Sequence, residues 1–125
     1  MARILVIDDD PQLRRLLRRY FERHHHTVTE AADGDEGLAR FHESGADIII
    51  TDLIMPGKEG METILELRRN NPEAKVIAMS GGGRVPPAGY LKLAKGIGAS
   101  RVFSKPFELA ELHQAVEELI GENPS

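Results

Sequence analysis

Cysteine is absent from this 125-residue chain. Disulfides, thiolate metal sites and thiol nucleophiles are thereby excluded. Long apolar runs are missing too, since none approaches the ~18 residues that a membrane-spanning helix needs. The opening MARILVIDDD sets acids directly behind a short apolar run, which is the wrong order for a secretory signal. The expected compartment is the cytoplasm, with no membrane partner. A basic excess is also lacking. Lys plus Arg number 16 against 20 Asp plus Glu, for a formal charge of -4. Nucleic-acid binders usually carry a strong basic excess or stripe, so direct nucleic-acid binding is not expected.

What is present suits one domain over residues 1–125. The length fits a single core that folds without staples, and a hydrophobic content of 41% is too high for a disordered chain. Two signals alternate. Short β-branched runs occur at Ile4–Ile7, Thr27–Thr29, Ile48–Thr51, Val76–Met79 and Arg101–Ser104. Helical periodicity fills the gaps. Leu13, Leu16, Leu17, Tyr20 and Phe21 share a stripe behind Asp10-Pro11, an N-cap and first-turn proline. Asp33 and Glu36 read as a capping box for a helix carrying Leu38 and Phe41. Met61, Ile64, Leu65 and Arg68 space a third helix that Asn70-Asn71-Pro72 ends. Pro86-Pro87 opens a fourth with Tyr90, Leu91, Leu93 and Ala94. Leu109, Leu112, Val116, Leu119 and Ile120 mark a fifth.

This is α/β with strict (βα)5 alternation. Three runs, Ile4–Ile7, Ile48–Ile50 and Val76–Met79, are apolar at every position, which a strand needs only if both faces are covered. The sheet is therefore expected to be parallel, with helices on both sides.

In an open parallel sheet, ligands bind beyond the carboxyl ends of the strands. There the chain places Asp8 and Asp9, Asp52, Ser80 and Lys105. Clustered carboxylates repel one another unless a cation neutralises them. A hard divalent ion such as Mg²⁺ suits an incomplete carboxylate cage left open for phosphate oxygens. A carboxylate beside it can act as a nucleophile and form an acyl phosphate. Lys105 and the metal would neutralise charge on the moving phosphoryl group, and Ser80 offers it a hydroxyl. Asp10 is read as an N-cap with no metal role.

These residues resemble the receiver domain of two-component response regulators. The resemblance covers about residues 2 to 121 and rests on Ile-Leu-Val-Ile-Asp-Asp-Asp, Asp52-Leu-Ile-Met-Pro-Gly, Met79-Ser80-Gly81 and Lys105-Pro106-Phe107. It implies a flavodoxin-like, doubly wound five-stranded sheet of order 2-1-3-4-5; a chemotaxis receiver is one of the standard examples of that order. It also implies roles. Asp52 is the phosphoacceptor. Asp8, Asp9, Asp52 and the backbone carbonyl of Ile54 hold Mg²⁺ or Mn²⁺. Ser80 and Lys105 contact the phosphoryl group, with the backbone N–H groups of Leu53 and Gly81. The implied donor is a histidine kinase or a histidine phosphotransfer protein. Output is implied to run through the loop and helix after Ser80, by a monomer or weak dimer with no separate substrate turnover. One position departs from the family pattern. Val102 stands three residues before Lys105, where a switch aromatic is usual, and the neighbouring Phe103 should face the other side of the strand.

Three further features are read apart from this site. His24-His25-His26 is taken as a solvated turn. The arginines 14, 15, 18, 19 and 23 are a solvated face or a docking surface for an acidic partner, with Leu13 and Arg14 as contacts. A phosphohydrolase is the rival class, but its second acid would fall at Ile54, which cannot transfer a proton. A degenerate interaction module is the third class, against which the five retained polar positions stand.

Overall fold

The computed structural model describes residues 2–52, 60–80, 96, 98–104 and 107–121. The elements are β1 (Arg3–Ile7), α1 (Pro11–Arg23), β2 (Thr27–Ala31), α2 (Gly34–Ser44), β3 (Ile48–Asp52), α3 (Gly60–Asn70), β4 (Lys75–Ser80), β5 (Arg101–Ser104) and a C-terminal helix (Leu109–Gly121). All strand pairs are parallel, in the order β2-β1-β3-β4-β5. That is the expected topology. The helix expected around Tyr90–Ala94 lies outside the described residues.

Strand parity divides the core into two layers. Leu5, Ile7, Ile49, Val76, Ala78 and Val102 face one layer with Leu38, Ile64 and Leu67 of α2 and α3. Ile4, Val6, Ile48, Ile50, Ile77, Met79 and Phe103 face the other, with Leu17, Phe21, Leu112, Val116 and Leu119 of α1 and the C-terminal helix. Val102 and Phe103 thus point to opposite sides, as alternation requires.

Capping follows the sequence signals. Asp10 accepts from the N–H groups of Gln12 and Leu13 at 2.9 and 3.4 Å. Asp33 accepts from the Glu36 N–H at 2.8 Å. Glu36 returns a carboxylate, but to the Ala32 N–H at 2.7 Å rather than to the cap residue itself. In α2, a Cβ at Gly37 would come within 2.4 Å of Ile7 Cδ1, so the missing side chain lets the helix lie close on β1.

Two helical stripes need correction. In α1, Leu17 and Phe21 are buried, whereas Leu16 is 49% exposed at the edge of the apolar arc. In α3, Ile64 is joined in the core by Leu67 and Thr63, while Leu65 is exposed.

The histidine turn also differs from its reading as solvated. His25 has φ 69. Its N–H donates to the Glu22 carbonyl, and the His26 N–H donates to that of Phe21. This is a Schellman motif with histidine where glycine is usual. The motif turns His26 back onto Phe21, with ring centroids 5.9 Å apart. His26 is therefore buried; His24 and His25 remain exposed.

Candidate functional site

β1 and β3 end level with each other, because Ile7 pairs with Thr51. The next residue on each is an aspartate. Asp8 is fully buried and Asp52 is 5% exposed; Asp9 sits more openly beside them. One carboxylate oxygen from each of the three lies within 4.8 Å of the others. Asp10 does not join this group. Its side chain caps α1, and its own N–H donates to Asp8 Oδ1 at 2.9 Å.

The backbone of Asp8 is held from two sides. Its N–H donates to the Ala31 carbonyl at 3.1 Å, and its carbonyl accepts from Arg14 Nη1 at 2.7 Å. Arg14 also pairs with Glu30 at 3.1 Å through Nε, and its side chain is only 17% exposed. The expected docking contact is instead an internal tie between α1, β1 and β2. Spacing had hidden it. Arg14 lies one turn past the cap and Glu30 pairs with Val6 near the end of β1, so only the assembled sheet brings them together. Arg18 bridges outward to Glu22 and Glu30 at 3.1 and 3.3 Å. Those two hydrogen bonds, to Glu22 first, raise its guanidinium above the ordinary value. On the β3 side, the Thr51 hydroxyl donates to the Asp52 carbonyl at 3.0 Å.

Ser80 closes β4 and pairs with Ser104 of β5, one residue beyond the Asp52–Met79 pair. Its strand position is at the same edge. Leu53, Ile54, Gly81 and Lys105 lie outside the described residues, as does the rest of the segment from Gly81 to Pro87.

The donor set is all oxygen, from three carboxylates at one strand edge. It fits a hard divalent cation of the magnesium class, which takes one or two carboxylates and keeps its remaining positions for water or phosphate oxygens. It does not fit a soft ion, which wants sulfur or imidazole.

Comparison with known proteins agrees. The family model for the response regulator receiver domain matches residues 4–117. Among curated relatives, the transcriptional regulatory protein ResD of Bacillus subtilis is 45% identical over 67 residues, covering 54% of this chain and 28% of ResD. TcrA of Mycobacterium tuberculosis is 32% identical over 125 residues, covering 98% of this chain and 47% of TcrA. The chain thus spans less than half the length of either relative. Among solved structures, a receiver domain protein from Clostridium thermocellum superposes with TM-score 0.88 at 31% identity, covering 97% of this chain and 95% of that one. TrrA of Thermotoga maritima, solved in complex with Mg²⁺-BeF, gives TM-score 0.83 at 31% identity, covering 95% and 99%. With its parallel 2-1-3-4-5 sheet, its acidic edge and this match over most of its length, the chain belongs to the response regulator receiver domain family.

Proposed function

We propose that Asp52 accepts a phosphoryl group, with Asp8 and Asp9 holding a divalent cation beside it, and that the chain works as a switch rather than by turnover of a separate substrate. The observation that carries this is the convergence of three carboxylates at the ends of β1 and β3, two of them buried. The phospho-aspartate switch is general to this family. In the step proposed, a carboxylate oxygen of Asp52 bonds to phosphorus as the phosphorus–nitrogen bond of a phosphohistidine donor breaks; the electron pair stays on the imidazole nitrogen, and the ring is neutralised by a proton from solvent. A bound Mg²⁺ supplies charge neutralisation for the phosphoryl oxygens. Asp8 and Asp9 hold carboxylate oxygens ready, and the Arg14 tie fixes the Asp8 backbone. Ser80 and Lys105, with the backbone of Leu53, Ile54 and Gly81, are proposed to complete the cradle and the metal shell.

The proposed donor is a histidine kinase or phosphotransfer protein. Exposed Arg15, Leu16 and Arg19 of α1 take the docking role first considered for Leu13 and Arg14. The curated relatives are transcriptional regulators by name; output here is proposed to run by protein contact through the segment after Ser80.

The test is incubation with Mg²⁺ and acetyl phosphate, followed by intact mass measurement. One phosphoryl adduct is expected, absent from Asp52→Asn. No adduct on the wild type, with this donor or a cognate kinase, overturns the proposal.

A further inference from the structure

A second group of ligating side chains sits at the opposite end of the sheet, where β2 begins. His26 Nε2 lies 3.1 Å from Glu117 Oε2, and His113 Nε2 lies 3.5 Å from the same oxygen. One ligand atom from each of the three falls within 4.8 Å of the others. His113 and Glu117 are four apart on the C-terminal helix and so share a face. His26 is delivered by the Schellman turn at the end of α1.

The spacing suits an ion. Zinc–nitrogen and zinc–oxygen bonds of ~2.0–2.1 Å in a tetrahedron put neighbouring ligand atoms roughly 3.3 Å apart. The His26–Glu117 and His113–Glu117 separations bracket that value, and the third lies within 4.8 Å. The supporting contacts suit it as well. His113 Nδ1 is 3.1 Å from the Tyr20 hydroxyl, which can accept a hydrogen bond from Nδ1–H while Nε2 offers its lone pair. His24 packs against His113 with ring centroids 4.2 Å apart. Its Nδ1 donates to the Tyr20 carbonyl at 2.9 Å.

We propose that His26, His113 and Glu117 form a second metal site, separate from the acidic edge, for a divalent ion of the zinc class. Two imidazoles and one carboxylate select such an ion over Mg²⁺. Loading has a defined proton requirement. The Ala2 N–H donates to His26 Nδ1 at 3.0 Å, so without an ion the proton sits on Nε2 and points at Glu117. To take the ion, that proton must move to Nδ1 and the Ala2 N–H must turn aside. A protonated imidazole has no lone pair to give, so binding weakens as pH falls.

The test titrates the full chain with zinc chloride in saturating Mg²⁺, which occupies the acidic edge. Calorimetry is paired with ¹H–¹⁵N spectra of the histidine side chains. One Zn²⁺ is expected to bind, with His26 switching from the Nε2–H to the Nδ1–H tautomer. His113→Gln and Glu117→Gln, both away from the fully buried core, should each weaken binding by about 10–100-fold or more. Zinc binding equally to wild type and both variants, or leaving the His26 tautomer unchanged, overturns the site. So does the absence of binding at pH 8.

Discussion

Arg14 sits among arginines that look alike in sequence, yet its guanidinium is spent inside the molecule, on the Asp8 carbonyl and on Glu30. Arg15 and Arg19 on the same helix are exposed. The two kinds should respond differently to charge reversal. Arg14→Glu sets a carboxylate against Glu30 and leaves the Asp8 carbonyl without its donor, at a cost of about 1–3 kcal/mol. Urea denaturation should register that loss, and phosphorylation should slow with acetyl phosphate and protein donor alike. Arg15→Glu combined with Arg19→Glu should leave stability within about 0.5 kcal/mol and slow only transfer from the protein partner. Equal slowing with both donors would remove the docking role. Arg18 gives no pH handle in the ordinary range. Its raised pKa only keeps a guanidinium charged that is already charged throughout that range, and exposed pairs of this kind contribute little.

The elements show why some features were legible in the sequence and others were not. Strand ends announce themselves, because Asp8 and Asp52 each interrupt an apolar run, and the N-caps Asp10 and Asp33 stand at their helix starts. Their positions followed from local rules. Leu16 and Leu65 did not, because a stripe defined by spacing alone does not say where its edge falls. His26 was the harder miss. Its burial depends on a left-handed residue at His25, and no glycine or asparagine stands there to signal one. This leaves a testable strain. Non-glycine residues with φ near 69 pay a steric cost. His25→Gly should therefore raise stability by about 0.5–1 kcal/mol in urea denaturation, net of glycine's added unfolded-state freedom. A loss of stability would mean that the exposed His25 ring makes a contact worth more than the strain.

At the scale of the whole molecule, the proposed metal site at the acidic edge would couple ion binding to folding. Three carboxylates held within 4.8 Å repel one another, and a cation that binds only the folded arrangement offsets that repulsion. Mg²⁺ at 100 times its dissociation constant should stabilise the domain by ~2.7 kcal/mol. For a chain of this length the shift in Tm is on the order of 10 °C. Scanning calorimetry with and without Mg²⁺ reads it directly. The shift should shrink in Asp9→Asn and on acidification, since only ionised carboxylates bind the metal. An unchanged Tm across a Mg²⁺ titration would mean that the three oxygens do not act together.

The alternation of the strands makes length a coding variable. In β3, Ile48 and Ile50 serve one layer and Ile49 the other, and Asp52 meets Asp8 because the count from Ile48 is right. One alanine inserted after Ile49 would exchange the layers for every later residue of the strand and move the Asp52 carboxylate away from Asp8. Acetyl phosphate labelling should vanish with that insertion and survive Ile49→Val. β3 is in this sense a ruler: the place of Asp52 is specified as much by its distance along the strand as by being an aspartate.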